Sequence, residues 1–147
     1  MPAAMLQTPY EAERLFAGDY AGKKARLCLA TTTSGSPNLS SNTAAWDAVE
    51  RSGSGYARCE WTIPAGSFNT TTDRFEAGSY TCTFTASGSA LTWNAAYLVI
   101  GTISGSTVTW GTGVSFVLTE SPSISLAAGL SRIYTVQLFT DGFTVTA

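Results

Sequence analysis

Arg51-Ser52-Gly53-Ser54-Gly55-Tyr56-Ala57-Arg58-Cys59-Glu60-Trp61 takes the chain from a Ser/Gly run directly into an alternating strand. Ala57, Cys59, Trp61 and Ile63 fall on one face and Arg58, Glu60 and Thr62 on the other, the period-two pattern of a half-buried strand. Downstream the pattern recurs. In Tyr80-Thr81-Cys82-Thr83-Phe84-Thr85 the aromatics and Cys82 point inward and the threonines outward. Leu91 to Ile103 is the most apolar segment, and its centre, Tyr97-Leu98-Val99-Ile100, lacks clean alternation, as expected of a central strand covered on both faces. Ser104-Gly105 turns it into Thr107-Val108-Thr109-Trp110. Val114 to Leu118, Ile124 to Leu126, Arg132 to Phe139 and Phe143 to Val145 follow as further strands, the last after Asp141-Gly142. Short strands at this spacing predict an all-β, antiparallel sandwich or jelly-roll-like domain.

Upstream, residues 1–7 read as an arm. Thr8 caps a short helix, Pro9 suits its first position, Glu11 completes a capping box and Gly18 ends it. Two to three turns do not hold alone in water, so Leu15 and Phe16 are expected to dock on their own sheet or on a neighbouring subunit. The domain reading is residues 1–18 as arm and helix and residues 19–147 as a single β-sandwich. Lys23 to Thr32 is the first strand, with Leu27 and Leu29 on one side and Arg26 and Cys28 on the other. A long loop then runs from Thr33 to Ser52. Its second half is expected to hold a helical turn with Trp46 and Val49 on one face and Asp47 and Glu50 exposed.

Composition narrows the function classes. Of 147 residues only 12% are charged, net charge is −2 and no block of like charge occurs, so no footprint for nucleic acid or an anionic membrane is present. No apolar run approaches the roughly 20 residues of a membrane span. The first residues lack a basic leader and a long apolar region, so the expectation is synthesis in a cytoplasm without a secretory signal. Three cysteines, an odd number, are expected to be reduced core residues rather than a disulfide framework.

The chain has no histidine, which excludes Ser-His and Cys-His nucleophile systems. No catalytic residue, cofactor site or metal site is expected. The acidic pairs Asp47/Glu50 and Asp73/Glu76 read as solvated loop charges, because nothing places a second carboxyl opposite them. The four tryptophans carry the binding signal. Trp61 is expected in the core, Trp93 and Trp110 as a cross-strand pair, and Trp46 on the long loop is the best candidate for an exposed anchor, although a loop tryptophan more often plugs its own domain or a subunit interface. Arg51, Tyr56 and Arg58 form a Tyr/Arg cluster that suits an interface. The alternative is that Tyr56 packs on its own sheet and Arg58 pairs with a nearby acid.

Tyr10 to Phe16, Arg26-Leu27-Cys28-Leu29-Ala30-Thr31, Gly53 to Arg58, Trp93-Asn94-Ala95-Ala96 and Ser125-Leu126-Ala127-Ala128-Gly129 resemble, in order and spacing, a group of small structural proteins of tailed bacteriophages. These are usually described as tail-fibre or minor virion proteins with an SGGGYAR-like entry to a strand. The resemblance implies a non-catalytic building block of the virion, put together in the host cytoplasm. Such a protein assembles symmetrically with itself and docks on other virion proteins of the tail (fibre, baseplate or adaptor) or of the capsid, there as a cement protein. The other reading is a carbohydrate-binding sandwich that takes a host-surface glycan through its tryptophans.

Overall fold

In the computed structural model, which describes residues 8–139 and 142–147, two antiparallel sheets face each other across one apolar core. The first contains β1 (Lys24–Ala30), β2 (Cys59–Thr62), β6 (Leu91–Ser104), β7 (Thr107–Trp110) and β8 (Phe116–Leu126). The second contains β3 (Ser67–Asn69), β4 (Arg74–Glu76), β5 (Tyr80–Thr85), β9 (Ser131–Phe139) and β10 (Gly142–Thr146). The helices are α1 (Pro9–Asp19) and α2 (Thr43–Asp47). The all-β sandwich expected from the alternation is therefore the architecture observed. The arm at residues 1–7, the side chain of Glu11 in the expected capping box and the turn at Asp141 lie outside the described residues.

The long strand β6 organises the first sheet. It pairs with β1 along one edge, and with β8 and then β7 end to end along the other. Its register with β8 slips between Trp93 and Ala95, which lets the two pieces read from sequence, 114–118 and 124–126, join as one strand of 11 residues. The hairpin β3–β4 has no alternation long enough to announce it in the sequence; Phe75 and Phe68 anchor it.

Leu27, Leu29, Trp61, Ile63, Cys82, Phe84, Leu91 and Trp93 meet in the core between the sheets. Opposite faces of β1 and β6 bury Cys28, Ala30, Ala95, Tyr97 and Val99 under the 31–52 segment. That second layer explains why the centre of β6 does not alternate: both of its faces are covered, as expected. Phe16 is fully buried, 5.3 Å from Phe75, so α1 docks on its own domain. The boundary after residue 18 separates nothing physical, since Phe16 belongs to the sandwich core and Leu15 is half-buried.

Two aromatic expectations change. Trp93 and Trp110 are not a cross-strand pair: Trp93 lies opposite Ile124 and is buried between the sheets, whereas Trp110 lies opposite Gly101 on the outer layer. Tyr80 is not inward; at 38% exposure it stacks on the rim of the core against Trp61, ring centroids 4.7 Å apart.

The cysteines also depart from expectation. Cys59 of β2 and Cys82 of β5 form a disulfide that ties one sheet to the other, with Cα atoms 5.7 Å apart, and only Cys28 is free and buried. Alternation correctly placed both residues on core faces; what it did not give is that the two faces meet at the same edge of the sandwich. The bridge spans 23 residues. Loop-closure entropy for that span makes its removal cost about 3 kcal/mol. Cys59→Ser/Cys82→Ser, or the native protein under dithiothreitol, should lose about that much unfolding free energy, seen as a lower urea midpoint. An unchanged midpoint under reductant would rule the link out.

Candidate functional site

The densest polar cluster lies on the outer face of β1 and β6, where the 31–52 segment folds back. The segment is held by its backbone: Thr31 N donates to Val49 O, Arg51 N to Leu29 O and Thr43 N to Thr112 O. Asn42 caps α2 through a bond from Ala45 N to its Oδ1 at 2.9 Å. Trp46 packs on Tyr97, centroids 5.3 Å apart, and its indole Nε1 donates to Asn38 O. At 2% exposure Trp46 plugs its own domain, the alternative the sequence left open, rather than standing as an exposed anchor. Val49 shares its face, as the sequence suggested.

Asp47 and Glu50 are not solvated loop charges. Asp47 accepts two bonds from Arg26 Nη2, at 3.1 and 2.9 Å, and one from the Tyr97 hydroxyl at 2.7 Å. Glu50 is clamped in bidentate fashion by Arg58 Nε and Nη2, at 2.8 and 2.6 Å, and accepts from the Tyr56 hydroxyl at 2.7 Å. Tyr56 in turn accepts from Leu29 N at 3.0 Å and stacks on Phe84. Two Arg–carboxylate–Tyr groups thus sit side by side, linked by Arg58 at 3.9 Å from Asp47. These fixed donors make the cluster a set of cross-links between loop and sheet, and the Asp47 side chain stays 31% exposed beside them.

Of the residues the sequence singled out, Tyr56 and Arg58 are brought together here and Arg51 is half-buried next to them, while Leu15 and Phe16 belong to α1 at a distance. For Tyr56 and Arg58 the intramolecular alternative is the arrangement present. The Ser/Gly run before them is a fixed turn. Gly53, Ser54 and Gly55 all have positive φ, and a Cβ on Gly55 would meet Ser87 Cβ at 2.6 Å. Arg26, Tyr97 and Trp110 were missed. A signal existed for Arg26, a lone charge between Ala25 and Leu27 in a strand covered on both faces, which requires a buried partner.

Burial, above all, pushes the hydroxyls of Tyr56 and Tyr97 far above the usual phenol range; the Cys28 thiol beside them and their bonds to Glu50 and Asp47 add to it. Burial likewise pushes the Cys28 thiol from 9.0 to about 12 and the Tyr134 phenol from 10.0 to about 12. In each group the fold favours the protonated, neutral form. Their stabilisation is complete below the unfolded values of 9.0 and 10.0 and is lost as pH rises toward about 12. Stability should therefore hold to about pH 9 and fall between there and 12, read as a urea midpoint that drops over that window. A urea midpoint that stays constant from pH 9 to 12 would contradict this.

Beside the cluster is an open cleft of about 480 Å³ bordered by Arg26, Asp47, Arg58, Asn42 and Trp110. Among the described residues no group of three or more Asp, Glu or Cys side chains is placed to hold a metal ion, and no helix is long and apolar enough to cross a membrane.

Fold and cluster together define an antiparallel two-sheet sandwich with a cross-linked outer loop. No family model, curated protein or solved structure matches the chain.

Proposed function

We propose that the protein is a non-catalytic structural component of a bacteriophage virion, associating with copies of itself and docking on the tail or capsid. The observation that carries this reading is the outer face of the β5–β9–β10 sheet. Thr81, Thr83, Thr85, Ile133, Thr135 and Thr146 share it by register, and no charged residue occurs in those rows. Ile133 is 50% exposed at its centre. Rows with no charges to strip of water can be covered at low desolvation cost, which suits a subunit contact. The Cys59–Cys82 bridge fits a chain that ends outside a reducing cytoplasm.

Sedimentation of the purified chain tests the reading. A mass of two or more times 15.4 kDa is expected. Ile133→Glu and Thr83→Lys should return it to monomer or abolish incorporation into particles, with the thermal midpoint retained. A strict monomer that does not bind particles lacking it would overturn the proposal.

A further inference from the structure

We infer that the cleft beside Trp110 is a binding site for a neutral oligosaccharide. This goes beyond an assembly role and does not depend on it. Trp110, Gly111 and Thr112 border two clefts at once, the one already described and another of about 500 Å³ lined by Tyr20, Lys23, Thr102 and Ser115. Both volumes fall in the range of small-molecule sites, roughly 300–1,000 Å³. The indole is therefore a ridge between two adjoining depressions, a shape that fits a chain of sugar rings better than a single compact ligand. Gly101 makes the ridge possible: a Cβ there would meet Trp110 Cε3 at 2.8 Å, so only glycine leaves room for the ring on the sheet.

The first cleft presents planar polar groups of both kinds. Arg58 is a donor, Asp47 is an acceptor, and Asn42 is both. Neighbouring sugar hydroxyls each donate and accept, and their spacing matches such planar side chains, while the C–H face of a pyranose packs on an aromatic ring. Arg26 helps to fix the indole in place: it is 2% exposed, and its guanidinium lies 4.8 Å from the Trp110 centroid. The guanidiniums facing the cleft are offset by Asp47 and Glu50, so a neutral ligand meets no net field.

The test is NMR titration of the full chain with neutral methyl pyranosides and linear neutral trisaccharides, with acetate and inorganic phosphate as anion controls. The Trp110 indole resonance should shift while those of the buried Trp46 and Trp93 stay, and a trisaccharide should bind at least tenfold tighter than its monosaccharide. Trp110→Ala should weaken binding at least tenfold and Trp110→Phe by much less. Thr112→Lys, at an exposed position bordering both clefts, should block binding without lowering the thermal midpoint. The inference is overturned if no sugar moves the resonance by about 50 mM. It is equally overturned if acetate or phosphate moves it as much as sugars do, or if Thr112→Lys leaves binding unchanged.

Discussion

Asp47→Ala is expected to destabilise the protein by about 3–5 kcal/mol, and Arg26→Met by distinctly less. The asymmetry follows from what each change leaves behind. Arg26 is 2% exposed, whereas the Asp47 side chain is 31% exposed. Without Asp47, a buried guanidinium loses the carboxylate to both of whose oxygens its Nη2 donates, and Tyr97 loses the acceptor of its hydroxyl. Without Arg26, Asp47 keeps Tyr97, has Arg58 3.9 Å away and is reached by water, while methionine refills the apolar volume against Trp110. Urea denaturation of the two variants measures the difference. Equal costs, or a larger cost for Arg26→Met, would show that the pair does not work as a buried charge and its partial neutraliser.

Trp93→Ala should cost a similar amount, about 3–5 kcal/mol, through a different cause. Trp93 is fully buried between the sheets, and its Nε1 donates to the Tyr134 hydroxyl at 3.0 Å, which donates to Glu120 at 2.7 Å. Truncation opens a cavity at the point where the sheets are bonded side chain to side chain. Trp93→Phe restores most of the volume but not the donor, so it should recover more than half of the loss; Tyr134 still has Glu120 as its acceptor. A Trp93→Ala protein with an unchanged urea midpoint would place the indole outside the load of the core. Trp61→Ala belongs to the same class, though its 6% exposure and its place at the rim on Tyr80 make it the milder of the two.

Much of the candidate site lay in plain view as residue types but not as contacts. Tyr56, Arg58, Asp47 and Glu50 stand within a dozen positions of one another in the sequence. Their charges read as solvated because period-two and turn arguments say nothing about what a long loop covers. The partners that change that reading, Arg26 and Tyr97, are 21 and 50 residues from Asp47. Trp46 shows the same limit from the apolar side. A tryptophan in a Ser/Thr-rich loop looks like an anchor for another molecule until Tyr97 is found beneath it. Tyr80 shows that alternation assigns a face but not a depth, since a strand end lies at the rim of the core.

Alternation alone determined the class of this protein, because a strand with one wet face must place its apolar residues at every second position. It also placed Arg26 and Cys28 opposite Leu27 and Leu29, and marked the centre of β6 as covered twice. Tertiary structure decided what the run Arg51 to Trp61 is for. Its glycines form a tight turn against Ser87 rather than a hinge, Tyr56 and Arg58 bind the acids of the loop they follow, and Cys59 reaches Cys82 on the other sheet. These are pairings across distance in the chain, fixed by how the two sheets and the loop are stacked, and local sequence preferences carry no information about them.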